Sequence, residues 1–161
     1  MDQVDRILAQ WRTERPDLDL EPMGTIGRIK RLHAHLMRSM EKTWAAHGLN
    51  AASFDVLATL RRAGAPYALS PGDLMASTMV TSGTMTHRIQ QLERAGLVER
   101  VKNPADGRSY LISLSAKGYE LIDGVMSVHV ETQARLVSVL TADQRAQLDT
   151  LLAQFLDGLE H

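Results

Sequence analysis

The sequence contains no cysteine. That excludes disulfide bonds, thiolate metal sites, cysteine nucleophiles and cysteine-based redox sensing together. Aromatic side chains are also scarce, at 4% of residues, so each of the two tryptophans carries weight as a packing or stacking group. No apolar run approaches the roughly 20 residues that a membrane helix needs. The opening residues Met1-Asp2-Gln3-Val4-Asp5-Arg6 lack the basic start and apolar core of a secretory signal. The expectation is a cytoplasmic protein with no membrane partner. An excess of one charge sign is missing as well, since 18 Lys and Arg stand against 19 Asp and Glu, a net charge of -1. Binding to a polyanion therefore needs a local basic face, or two modest faces summed in a dimer.

Catalytic signatures are missing too. There is no G-x-S-x-G nucleophile, no P-loop, no dinucleotide fingerprint and no pair of acids that stands out. No catalytic residue and no cofactor is expected. The six histidines do not change this. His33 and His35 are two apart and fall on different faces of a helix, while His87 and His129 stand alone. No grouping has metal-ligand spacing, so no metal is expected. His33 remains a candidate for lining a ligand cavity.

The remainder is a 161-residue chain, 44% hydrophobic and 23% charged, suited to one soluble domain. Val4, Ile7, Leu8 and Trp11 recur at helical spacing over residues 2–14, with Trp11 the largest apolar anchor; Arg15-Pro16 ends the helix. Residues 23–47 form a long helix striped by Ile26, Ile29, Leu32, Leu36, Met40 and Trp44 and stopped by Gly48. Asn50 caps a helix to about Arg62 with Phe54, Leu57 and Leu60 inward. A small strand at 67–69 follows. Ser70-Pro71-Gly72-Asp73 then starts a short helix to about Ser77. After a turn comes a second helix, residues 81–95, closed by Gly96. Residues 97–101 and 109–114 read as strands of a hairpin around the turn chemistry of Asn103-Pro104 and Asp106-Gly107. Ser115 caps a helix to about Leu140, and Thr141-Ala142-Asp143-Gln144 is a capping box for a last amphipathic helix.

Helix, turn, helix, strand, loop, strand is the order of a winged helix-turn-helix. Its second helix suits the major groove of double-stranded DNA, with Ile89 and Leu92 packed inward. Thr81, Ser82, Thr84, Thr86, His87 and Gln90 supply hydrogen-bonding groups for bases or phosphates. Lys102 and Arg108 at the hairpin suit a phosphate or minor-groove contact. The eight methionines include Met75, Met79 and Met85 around this motif. Core filling accounts for them, and an oxidation sensor needs them exposed.

Residues 69–118 resemble the MarR family of bacterial transcription regulators. The resemblance rests on Leu92-Glu93-Arg94-Ala95-Gly96-Leu97-Val98-Glu99-Arg100, then Asp106-Gly107-Arg108, then Leu114-Ser115-Ala116-Lys117-Gly118. It implies a homodimer with intertwined terminal helices on a pseudo-palindromic operator, with Arg108 in the minor groove. The fold class expected is mostly α with a small β-hairpin wing. Residues 1–20 are an extra N-terminal helix, 21–48 and 116–161 a dimerisation region, and 49–115 the DNA-binding region of one intertwined domain.

Trp11-Arg12-Thr13-Glu14-Arg15-Pro16-Asp17-Leu18-Asp19 and Phe54-Asp55-Val56-Leu57-Ala58-Thr59-Leu60-Arg61-Arg62 look like the PecS or urate-responsive subgroup. That resemblance implies a ligand site of Trp11, Asp55, Arg88 and Arg100 for urate, xanthine or another anionic aromatic effector. A planar anion packs on an aromatic face and pairs with a guanidinium, and a ligand on Arg88 would bear on the reading helix. The function implied is a repressor released by such an effector. The alternatives are a dimeric DNA-binding regulator without an effector, or one that answers other phenolic compounds. Singly, Trp11 reads equally as a staple, Asp55 as a solvated acid, Arg88 as a phosphate contact, and Arg100 as a brace for a nearby acid.

Overall fold

Small polar side chains start five of the helices. In α1 (Gln3–Glu14) the Asp2 carboxylate accepts from the Asp5 amide at 2.9 Å, and Asp5 returns the bond to the Asp2 amide at 2.8 Å. Asn50 caps α3 (Ala51–Arg62) and Ser70 caps α4 (Pro71–Ser77), where Pro71 opens the first turn. Ser115 caps α6 (Ala116–Val137). Thr141 and Gln144 exchange the two bonds of a capping box at the start of α7 (Ala142–Glu160). Each such cap contributes about 1 kcal/mol by satisfying amides that have no partner inside the helix. Among the described residues the remaining helices are α2 (Glu21–Ala45) and α5 (Ser82–Arg94). The computed structural model describes residues 1–78 and 82–160, with residues 82–84 as backbone only.

The chain divides into two units, Met1–Met40 and Glu41–His161. In the first, Val4, Leu8 and Leu20 make a small apolar core. Helix α1 rests on two glycines of α2. A Cβ at Gly24 would lie 3.2 Å from Leu8 Cδ1, and one at Gly27 would lie 3.2 Å from Val4 Cγ1. Arg28 pairs with Asp2 at 3.0 Å and with Asp5, and Arg31 donates to Gln3. The expectation that Trp11 anchors α1 is corrected here. Trp11 is 42% exposed, and the anchors are Val4 and Leu8, one turn apart over the glycines. The α2 stripe is likewise not buried along its length, since Ile26, Ile29 and Leu32 are all exposed.

The second unit is centred on α3. Val56, Leu57 and Leu60 are fully buried with Leu74 of α4, Ile112 of the sheet, and Ile122 and Val125 of α6. Losing one such leucine side chain to alanine costs about 2–5 kcal/mol. Trp44 stacks on Phe54 and His129, with ring centres 4.7 and 5.7 Å apart, and its Nε1 donates to His129 Nδ1 at 3.3 Å. That bond makes Nδ1 an acceptor, and burial pushes the imidazole pKa below its ordinary value. The wing is β2 (Val98–Lys102) and β3 (Tyr110–Leu114), antiparallel with Val98 opposite Leu114. Strand β1 (Ala68–Leu69) adds to the other edge of β3, so the expected hairpin is part of a three-stranded sheet ordered β1-β3-β2.

The Leu114-Ser115-Ala116-Lys117-Gly118 block seats α6 against the end of α5. Ser115 donates through its amide to Leu97 O and through Oγ to Gly96 O, and Lys117 Nζ donates to Ala95 O. A Cβ on Gly118 would fall 1.9 Å from Leu97 O, so only glycine admits this approach. Gly96 itself has φ of +70°, the left-handed stop expected after α5. Helix α6 ends at Val137, earlier than expected, where Ser138 turns back to Arg135 O through both its amide and its hydroxyl. None of the residues of α7 is buried: Leu151, Phe155, Leu156 and Leu159 are all exposed. Among the described residues, no helix is long and apolar enough to cross a membrane.

Candidate nucleic-acid interface

Helices α4 and α5 form the two arms of the helix-turn-helix. Met85, Ile89 and Leu92 recur at helical spacing on α5 and are buried at 3%, 4% and 3% exposure, which fixes the inward face. Thr86, His87 and Gln90 are left exposed. Of the other expected base-reading residues, Thr81 lies outside the described residues. Ser82 and Thr84 are on α5, with their side chains outside the description.

The wing presents Lys102 at the end of β2 and Arg108 in the loop, both exposed. Local hydrogen bonds hold the loop. Asn103 Oδ1 accepts from the Ala105 amide at 3.0 Å, Asp106 Oδ1 accepts from the Arg108 amide at 3.1 Å, and Ser109 Oγ donates to Asp106 O. The first two are Asx turns, which give a short loop a defined shape without a core. Arg108 is thereby carried on a shaped turn rather than a loose one.

The residues expected to hold a ligand are divided between the two units. Trp11 lies in the first, whereas Asp55, Arg88 and Arg100 lie in the second. Asp55 is half-buried on α3. Arg88 is half-buried on α5, and its Nη1 is buried with no hydrogen-bond acceptor among the described residues. A buried donor left unmatched costs about 1–3 kcal/mol, more when charged.

Arg100 is differently placed. Its Nε and Nη2 donate to Glu93 Oε1 and Oε2 at 2.7 and 3.1 Å, and its guanidinium carbon lies 4.6 Å from the centre of the Tyr110 ring. The Glu93 carboxylate raises the Arg100 pKa further above its already high value. Arg100 braces a nearby acid, as one of its two readings had it. It lines a cleft of about 210 Å³ with Pro71, Met75, Met85, Thr86 and Tyr110. At 100° per residue, Arg88 and Thr86 project about 160° apart around α5. The two arginines therefore flank the inward face of the reading helix on opposite sides.

Glu93 and Tyr110 were not visible as partners in the sequence. Glu93 and Arg100 meet only because Gly96 reverses the chain between a helix and a strand, and no fixed spacing advertises that. Three or more His, Asp and Glu residues that could hold a metal are not grouped anywhere among the described residues. His33 and His35 are both exposed in the first unit.

A model of the MarR family matches residues 47–109. The chain is 40% identical over 152 residues to the HTH-type transcriptional regulator PecS of Dickeya dadantii, covering 94% of this chain and 92% of PecS. It is 32% identical over 139 residues to the multiple antibiotic resistance protein MarR of Escherichia coli, covering 86% of this chain and 93% of MarR. The crystal structure of a mutant Escherichia coli MarR complexed with operator DNA superposes with a TM-score of 0.72 at 28% identity, covering 85% of this chain and 95% of that one.

Proposed function

The chain belongs to the MarR family of transcription regulators, and from that premise we propose that it is a homodimeric repressor released from its operator by a small anionic aromatic effector of the urate type. It is a DNA-binding transcription regulator of the MarR and PecS kind, not an enzyme. The effector reading is carried by one observation, the buried Nη1 of Arg88, which has no acceptor among the described residues. A guanidinium recognises a planar anion through paired donors. An anion that takes Nη1 acts directly on the helix that carries Thr86, His87 and Gln90. It favours the arrangement of α5 in which that bond forms, and this differential affinity is what a switch requires.

Homodimerisation is supported by the apolar side chains left exposed on α7, which are too many for a helix that meets only water. In this reading Thr86, His87 and Gln90 enter the major groove, with Thr81, Ser82 and Thr84 at the start of the same helix, and Lys102 and Arg108 engage the backbone or minor groove. Arg100 shapes the helix–wing junction rather than meeting the effector first, because Glu93 already satisfies it.

The test is selection of bound duplexes from a random pool, followed by titration of the selected duplex complex with urate and xanthine. Release by either purine at micromolar to millimolar concentration supports the effector reading. Tight binding that neither purine nor any phenolic acid disturbs contradicts it.

A further inference from the structure

The cleft on the Arg100 flank holds two methionines beside the reading helix. Met75, on α4, is 38% exposed, whereas Met85, on α5, is 3% exposed. We propose that Met75 is an oxidation site, and that its conversion to the sulfoxide by hypochlorous acid loosens α5 and weakens DNA binding; the proposal rests on the DNA-regulator reading above.

The chemistry is that of an accessible thioether. The sulfur lone pair attacks the chlorine of hypochlorous acid, hydroxide leaves, and water then replaces chloride on sulfur. In net terms one thioether and one HOCl give one sulfoxide, one proton and one chloride ion, with sulfur oxidised by two electrons and chlorine reduced by two. The product is a polar group with a strong acceptor oxygen, and methionine sulfoxide reductases reverse it. Cysteine is absent, so thiols do not compete within the chain for the oxidant.

The surroundings give that oxygen a consequence. Pro71, Met85 and Ile89 make part of the cleft apolar and unsuited to a sulfoxide, while the Arg100 guanidinium lines the same cleft. Arg100 is held at 2.7 and 3.1 Å by Glu93. Glu93 is on α5 and Arg100 on β2, so this pair ties the reading helix to the wing. A sulfoxide oxygen competes with the Glu93 carboxylate for Arg100 and wets the packing of Met85. Both changes act on the two elements that must keep a fixed relation to grip a duplex. Met1 and Met23 are also exposed, but they belong to the first unit and are not among the residues that line this cleft.

The experiment uses the full-length protein and its selected duplex. Unoxidised protein is first shown to bind; failure at that point overturns the DNA-regulator reading and this proposal with it, before any oxidant is added. Hypochlorous acid is then added in steps, with peptide mass spectrometry on each methionine and duplex affinity measured on the same samples. The expected result is oxidation of Met75 ahead of Met85, at least a fivefold loss of affinity that tracks the Met75 sulfoxide, and recovery with methionine sulfoxide reductase. Met75→Leu keeps its affinity at the same dose, Met79→Leu does not, and Met75→Gln binds weakly without oxidant. Equal loss of affinity in Met75→Leu, or Met75 sulfoxide formed with affinity unchanged, overturns the proposal.

Discussion

Two arginines flank the reading helix and live in opposite circumstances. Arg100 has a carboxylate on two of its nitrogens and an aromatic ring beside its face. Arg88 keeps a buried nitrogen with no acceptor among the described residues. A guanidinium that is already matched gains little from a new anion, because it must first give up what it holds. One with a buried nitrogen that lacks an acceptor gains the full value of the missing bond. In the proposed function the same residue type becomes a brace on one flank of α5 and a receptor on the other, and the difference lies in the neighbours.

The largest effect that sharpens this contrast is expected in Arg88→Ala. Removing a charged hydrogen-bonding partner costs about 2 kcal/mol or more, so the urate concentration for half-release should rise roughly thirtyfold. Arg100→Ala should move it less than about threefold. Equal shifts in the two variants, measured by displacement of a labelled duplex, would break the comparison.

A third arginine provides the solvated extreme. Arg108 is exposed on its Asx turn, and in the proposed function it contributes counterion release at a phosphate. Arg108→Ala should lower the slope of log affinity against log salt by about one for each protomer that contacts DNA. The urate concentration for half-release at matched occupancy should stay where it was. An unchanged salt slope removes the wing from the DNA contact.

A smaller effect is expected from Glu93→Gln, which strips the carboxylate from Arg100. The pair is partly exposed, so stability should fall by less than about 1 kcal/mol, and the Arg100 pKa should return toward its ordinary value. If this variant responds more strongly to urate than the parent, an unmatched arginine on either flank suffices to sense the anion. If it responds as the parent does, the Arg88 flank alone is the receptor.

The gentlest effect concerns His129, a buried base that can shed its proton, as an arginine cannot. Burial lowers its folded pKa below the ordinary 6.5. As pH falls below that value the unfolded chain takes up a proton that the folded chain refuses, so stability declines toward the folded pKa and then levels off. Well above pH 6.5, where neither state holds the proton, the residue contributes no slope. His129→Gln should flatten the melting temperature between about pH 7 and pH 5 relative to the parent, as followed by circular dichroism. A parent that melts higher as pH falls through this range contradicts the neutral, buried state.

Much of the fold was legible because its signals are local. Asn50, Ser70, Ser115 and Thr141 each start a helix where a small polar residue precedes an apolar period, and Gly96 stops α5. Asp106-Gly107-Arg108 declared its turn through side chain–backbone bonds within three residues. What was not legible depends on groups that meet only after folding. Trp11 is the largest apolar group of α1, yet Val4 and Leu8 anchor the helix, because Gly24 and Gly27 open space for them one turn apart. The three-stranded sheet needed Leu69 of β1 to find Ile112 of β3, far beyond the reach of hairpin rules. Within the candidate site, the residue types were readable from the chain, but their states were not. Nothing in the letters separates an arginine held by Glu93 from one whose buried nitrogen meets no acceptor among the described residues.

The most direct test of that separation is thermal unfolding of Arg88→Met beside the parent, each with and without saturating urate. The variant is expected to melt at or above the parent without urate, since a buried donor with no acceptor among the described residues has been replaced by a flexible apolar chain, and urate is expected to raise only the parent. A variant that melts lower without urate and is still stabilised by it as strongly as the parent would contradict the assignment of Arg88 as the effector's receptor.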